Sequence, residues 1–292
     1  MLEAVPNVSE GRDETAIAAI GRGFASRAAL LDVHSDADHH RSVYTLAAEP
    51  DALVDALVEG AATAVECIDL RVHDGVHPRV GAVDVAPIVP IAPGDMEAAE
   101  RVALQVAGRI ADELGVPVFL YGKVGGGKPP AFFRRGGTTE LGRRLAAGEL
   151  EPDFGPASLD PRTGAALVGA RPPLVAYNLD LGTNDVDVAR WIAAAVRESG
   201  GGLAGVQAIG LFLPRADRVQ VSMNVLDLER SPLHEVVERV RREAAARGVE
   251  VVNGELVGLV PEHVVRAADA AGVFVPGLDE SRVLERLLAA SL

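Results

Sequence analysis

Residues 73–90 read HDGVHPRVGAVDVAPIVP, a window holding two histidines, two aspartates, an arginine, two glycines and three prolines. By composition the first half is a rigid polar loop. The second half runs into the apolar alternation of Val83, Val85 and Ile88 and reads as a buried strand. Near neutral pH histidine both takes and gives a proton, which makes His73 and His77 candidates for general acid–base chemistry. Histidines in such a loop can equally brace a turn, and residue type alone leaves both readings open.

Other side chains could work beside them. Asn7, Ser9, Glu10 and Arg12 share one polar stretch, Asp36, Asp38, His39, His40 and Arg41 a second, and Arg162 and Arg171 lie further on. All fall at the ends of predicted strands or at a hairpin tip, where layered α/β folds present binding residues. A metal on Asp36, Asp38, His39 and His40 is not expected, because adjacent histidines on a turn diverge and no helical H-x-x-x-H pair supports them. A covalent hydrolase is not expected either. There is no G-x-S-x-G elbow, and the lone Cys67 should be a buried, inert thiol inside a helix. The glycines between Lys123 and Lys128 lack phosphate-loop spacing, since Pro129 follows Lys128. What remains is proton transfer beside arginines whose planar forks suit carboxylates, with plain salt bridging as the alternative for each arginine taken singly.

The elements that must position these groups follow from periodicity. A strand at 2–5 stopped by Pro6, a helix at 13–26 capped by Ser9 or Asp13, strands at 29–33 and 42–47 around the polar turn 35–41, a helix at 51–68 and the strand 83–89 make strand, helix, strand, strand, helix, strand. That order is the ferredoxin-like βαββαβ arrangement. A helix at 95–114 and a strand at 116–121 extend it. The Gly-, Pro- and Arg-rich stretch 122–153 is too long for an ordinary connection and is expected to be a mobile lid, an insertion or an interface arm. Two Gly/Pro turns fill 152–173.

The same order then repeats, with a strand at 174–181, a helix at 185–198 burying Val188, Trp191, Ile192 and Ala195, strands at 206–213 and 219–225, a helix at 232–247 and a strand at 249–260. Two short packing helices end the chain. The expectation is an α/β (α+β) protein of two ferredoxin-like subdomains, 1–172 and 173–292, each a sheet with helices on one face.

Composition narrows the partners. Over 292 residues the net charge is −14, which argues against a nucleic-acid groove or a basic membrane patch, so any anionic ligand must be met by a few well-placed cations. One cysteine excludes an intrachain disulfide and a cysteine-rich zinc site. No leader and no apolar run of membrane-spanning length is evident, and a cytoplasmic protein is expected.

Several segments carry a specific likeness. VPNVSEGRD, LLDVHSDADHHRSVYTL, IDLRVHDGVHPRVGAVDVAPIVP, LGVPVFLYG, PDFGP, GARPPLVAYNLDL, VQAIG, VQVSMNVLD and LVGLVP, in that order, make the chain resemble the glutamate formiminotransferase family over residues 2–265. HPRVGAVDVAPIVP is the most specific of them. The resemblance implies transfer of a formimidoyl group from N-formimidoyl-glutamate to the position-5 nitrogen of tetrahydrofolate as acceptor co-substrate, a folate tunnel between two α/β subdomains, and a homodimer. It places the catalytic histidine in the H-P-R motif, at His77. It also implies a folate-contacting segment after P-D-F-G-P, covering Gly155, Pro156, Ala157, Ser158, Leu159, Asp160, Pro161, Arg162, Thr163 and Gly164.

Arg41, Arg79 and Arg171 are then candidates for the substrate carboxylates, with Asp36 and Asp38 for polar contacts or histidine orientation. Where relatives of the family commonly read D-H-N-R, this chain reads Asp38-His39-His40-Arg41. His40 thus replaces an amide that could bind substrate, which opens N-formylglutamate as an alternative donor. A folate-binding protein without turnover is the other alternative. No cyclodeaminase region is recognised, so a separate protein is expected to process the product.

Overall fold

The structure is a computed structural model and describes residues 1–92 and 94–291. It divides into two compact units, Met1–Pro172 and Pro173–Leu292.

In the first unit β1 (Leu2–Ala4) and β2 (Asn7–Val8) are two segments of one line of chain, interrupted at Pro6. Both lie antiparallel between β4 (Arg41–Ala48) and β5 (Val83–Pro90), and β3 (Ala29–Asp36) pairs with the far side of β4. Beyond β5 come β7 (Ala166–Ala170) and then β6 (Val118–Gly122), both parallel to their neighbours. Helices α1 (Glu14–Phe24), α2 (Pro50–Cys67) and α3 (Met96–Leu114) cover one face, burying Phe24, Leu57 and Ile110 against Leu46, Ile88 and Val168. Asp13 starts α1 by accepting from the Thr15 and Ala16 amides at 2.8 and 3.1 Å. Ser9, the other capping candidate, instead donates to the Gly81 carbonyl at 2.7 Å.

The stretch expected to be a lid or arm folds as two helices, α4 (Pro130–Arg134) and α5 (Gly137–Ala146). Phe133, Leu141 and Leu145 seat them on the opposite face of the sheet, against Val85, Phe119, Tyr121 and Leu167. The strands β6 and β7 are therefore buried on both faces. Glycines, prolines and arginines around those few apolar residues hid the helical spacing, and β7, read as part of a turn region, was hidden in the same way.

The second unit places β8 (Val175–Leu181), β10 (Arg218–Val225), β9 (Val206–Leu213) and β11 (Val251–Val257) in the antiparallel order β11-β8-β10-β9. Counting β1 and β2 as one strand, the first four strands of the first unit have the same order, fourth, first, third, second. Helices α6 (Val186–Val196), α7 (Leu233–Ala245) and α8 (Glu262–Ala271) close one face, with Tyr177, Leu179 and Val221 inward, and α9 (Leu284–Ser291) ends the described chain. Two burial expectations are corrected. Trp191 is 46% exposed, its ring covered by the Arg247 guanidinium instead of the core. Cys67 is also exposed, because it is the last residue of α2 and lies past the turn that packs.

Candidate functional site

Three loops of the first unit are laced into one polar knot. The loop after β2 meets the β3–β4 hairpin where the Ser42 hydroxyl donates to the Glu10 carbonyl at 2.5 Å and the Arg12 Nε donates to the Ala37 carbonyl at 2.8 Å. The loop between α2 and β5 joins them through an Arg12–Asp74 ion pair and through the Val76 amide, which donates to the Asp38 carbonyl at 3.0 Å. The loops approach so closely that a Cβ on Gly75 would stand 2.3 Å from the His39 carbonyl oxygen, and one on Gly81 1.8 Å from that of Ala165. Only glycine fits at either position.

At the floor of this knot lies Asp84, fully buried. Its carboxylate accepts from Arg41 at 2.5 Å, from Arg134 at 2.6 Å and from the Val80 amide at 2.9 Å. Neither Asp84 nor Arg134 was singled out from the sequence. The structural reason is a β-bulge: Val8 pairs with Val83 and Asn7 with Val85, leaving Asp84 as the unopposed residue. The bulge sends Val83 to the α1–α3 face and Val85 to the α4–α5 face, where strict alternation would put both on one side. A signal was present, since a charge inside an otherwise apolar buried strand needs partners. Burial alone would raise the Asp84 carboxyl's pKa, but the Arg134 and Arg41 guanidiniums outweigh it and hold the group ionised well below the usual carboxylate range.

His77 lies three residues before Val80, whose amide Asp84 accepts, and within electrostatic reach of this cluster. Its Nδ1 is buried and has no hydrogen-bond partner, and its ring stands 5.8 Å from that of His39. Burial, then the positive charges of Arg41 and Arg134, push its pKa well below that of an ordinary histidine, with Asp84 only partly opposing them. The imidazole is therefore neutral at neutral pH and able to accept a proton.

His73 is held differently. Its Nδ1 accepts from the Gly75 amide at 3.2 Å, so its Nε2 carries the hydrogen and donates to the His40 carbonyl at 2.8 Å. Burial pushes its pKa down to about 4. With both nitrogens engaged, it is a brace. His40, in the left-handed region at φ 50°, stacks on His73 with centroids 4.1 Å apart, and its Nδ1 accepts from the Gly11 amide at 3.2 Å. That bracing role accounts for the imidazole at this position without a change of donor.

The other expected site residues separate. Arg41 is buried and spends its fork on Asp84 and, through Nε, on the Asn7 side-chain amide oxygen at 3.0 Å. Arg79 donates to the carbonyls of His73, Gly75 and His77, stiffening its own loop. Asp36 accepts from the His39 amide at 2.6 Å and shapes the hairpin turn, and Asp38 is buried beside it. Of the 155–164 segment, Thr163 and Gly164 are buried and tied to residues 80–82, while Gly155, Pro156, Ala157, Ser158, Asp160 and Pro161 are exposed and Leu159 packs against the α4–α5 core. Arg162 donates to the Glu66 carbonyl at the end of α2, and Arg171, at the end of β7, to that of Pro172. Among the described residues no cluster of three or more metal-ligating side chains occurs. Among the same residues no helix is long and apolar enough to cross a membrane.

Residues 1–171 match the formiminotransferase domain, N-terminal subdomain, and residues 176–285 the formiminotransferase domain. A glutamate formimidoyltransferase of Thermoplasma acidophilum is 38% identical, over 98% of this chain and 96% of the relative. One from Streptococcus pyogenes serotype M1 is also 38% identical, over 89% of each chain. A formimidoyltransferase-cyclodeaminase of Gallus gallus is 40% identical over 94% of this chain, which spans about half, 52%, of that longer protein.

Proposed function

This chain belongs to the formiminotransferase family, and from that premise we propose how its residues carry the reaction. The chain transfers the formimidoyl group of N-formimidoyl-L-glutamate to tetrahydrofolate, giving 5-formimidoyl-tetrahydrofolate and glutamate. The observation that carries the residue assignment is the neutral His77 with its unpartnered Nδ1 beside the Asp84–Arg41–Arg134 cluster.

The pterin N5 attacks the formimidoyl carbon, a new N5–C bond forms and a tetrahedral carbon results. N5 must lose a proton, and the glutamate nitrogen must gain one before its bond to that carbon breaks. A neutral imidazole does both in turn, as base and then as acid, with no net change in its own protonation. The cluster of two arginines and one aspartate leaves one positive charge over, which suits a carboxylate of the donor or the electron-rich intermediate.

We further propose that Arg171 and the exposed part of the 155–164 segment meet folate, and that the protein acts as a cytoplasmic homodimer upstream of a separate cyclodeaminase. Purified protein should consume N-formimidoyl-glutamate only when tetrahydrofolate is present. Turnover of N-formylglutamate in its place would transfer the case to the formyl donor, and folate binding with turnover of neither would leave a binding protein. Sedimentation at the mass of one chain would overturn the dimer.

A further inference from the structure

Arg134 comes from the segment that the sequence marked as irregular, yet it reaches the floor of the site. Phe133, 1% exposed, anchors α4 by stacking on Phe119 at 5.1 Å between ring centroids. The adjacent Arg134 then places its guanidinium on the Asp84 carboxylate at 2.6 Å. Asp84 in turn accepts from the Val80 amide, three residues beyond His77, so one chain of contacts runs from α4 through Asp84 into the histidine loop.

The charge count gives this geometry its meaning. Arg41 alone balances Asp84, and it is already fixed there by a second bond to Asn7. Arg134 is therefore surplus charge, held 16% exposed in a setting that screens it poorly. A charge placed at such a site without need for neutrality acts on what faces it. Arg41 from β4, Asp84 from β5, Arg134 from α4 and His39 from the hairpin turn act electrostatically on His77, and the His39 ring stands 5.8 Å from it.

We infer that Arg134 is a positioning residue of the transfer reaction: paired with Asp84, which also accepts from the Val80 amide, it ties the α4–α5 insertion to the histidine loop, holds that loop in place and adds an unbalanced positive charge to the cluster beneath it. This inference rests on the reading of His77 as the proton-transfer group. It makes the insertion part of the active centre.

The test compares Arg134→Met, which removes the charge and keeps most of the stem, with Arg134→Lys, which keeps the charge. Two readouts are followed in the full-length protein. One is the acidic limb of the pH profile of kcat/KM. The other is the protonation of the His77 ring by NMR, assigned with His77→Gln and independent of turnover.

Arg134→Met should move both upward, on the order of half to one pH unit, because loss of a nearby positive charge favours the imidazolium. Arg134→Lys should leave both near their parental positions while lowering kcat, since an ammonium cannot reproduce the planar fork. An unmoved His77 titration in Arg134→Met overturns the proposal, as does an equal movement in Arg134→Lys. Should Arg134→Met fail to fold, Arg134→Gln is read by the same titration. If the ring moves as expected but the protein transfers no formimidoyl group, the positioning stands and the function assigned above falls.

Discussion

Asp84 and Asp180 are both buried carboxylates on sheets of the same strand order, but the groups around them differ. Asp84 is held by two guanidiniums and a backbone amide, with a neutral imidazole within electrostatic reach of the cluster. Asp180 is held by the side-chain amides of Gln220 at 3.0 Å and Asn253 at 3.3 Å, and by Arg218 at 3.2 Å, whose side chain is half exposed. Both lie near bulges, but the bulge in β5 inserts the aspartate itself, whereas the one in β11 falls between Val251 and Asn253 on the partner strand. Around Asp180 two neutral amides and one arginine leave no surplus positive charge. The two arginines on Asp84 satisfy it and leave charge over. The surplus charge therefore does not come with the shared strand order; it comes from the bulge that inserts Asp84 itself and from the α4 arginine that reaches it.

The largest expected difference is in turnover. His77→Ala should lower it by roughly two to four orders of magnitude while folate affinity changes little, measured by steady-state rates and equilibrium binding. Asp180→Asn should change turnover by no more than a few-fold. Unaltered turnover in His77→Ala would sink the assignment, and an Asp180→Asn loss as large as that of His77→Ala would erase the contrast between the two carboxylates.

Stability should separate them next. Asp84→Asn leaves two buried guanidiniums facing a neutral amide, a change of about 3–5 kcal/mol in chemical denaturation. Asp180→Asn keeps an acceptor oxygen for its amide neighbours and should cost about 1 kcal/mol. Equal losses would show that the two networks are not different in kind.

A smaller effect tests the brace within the charged region. His73 titrates near 6.5 when unfolded and at about 4 when folded, because burial disfavours its charged form. Between those values the unfolded chain binds the extra proton, so stability is fully present above about pH 6.5 and declines as pH falls toward 4. His73→Gln should remove that share, about 1 kcal/mol between pH 7 and pH 5 after allowance for the solvent around the ring. Urea midpoints of parent and variant at both pH values decide it, and equal declines would remove His73 from the acid response.

Much of this was legible in the sequence. Helix and strand periodicities located α1–α3, α6 and α7 to within a few residues and anticipated two short helices in the tail, because amphipathic spacing is a property of the chain itself. His77 stood out through its motif, and Arg41 through its place in the polar turn 35–41. Asp84 and Arg134 did not, for different reasons. A bulge is a register event between two strands, so one strand read alone shows only an aspartate between valines. The helix that carries Arg134 is five residues long and is stabilised by Phe133 against a strand, a tertiary contact that local propensity does not record. Arg79's type and position suggested a carboxylate contact, while in the structure its guanidinium donates to the carbonyls of its own loop.

The smallest effect concerns Arg218, the cation that donates to Asp180 beside the two side-chain amides. Its side chain is 51% exposed and its bond to Asp180 is 3.2 Å long, so water screens the pair and can replace it. The two amides remain on the carboxylate when it is removed. Arg218→Gln should therefore cost at most about 0.5–1 kcal/mol by denaturation and leave the pH profile of kcat/KM in place. Arg134, 16% exposed, is the opposite case in burial. If Arg218→Gln moved the acidic limb as far as Arg134→Met, a buried guanidinium on the Asp84 carboxylate would not be what sets that limb, and the contrast between the two carboxylate networks would fall.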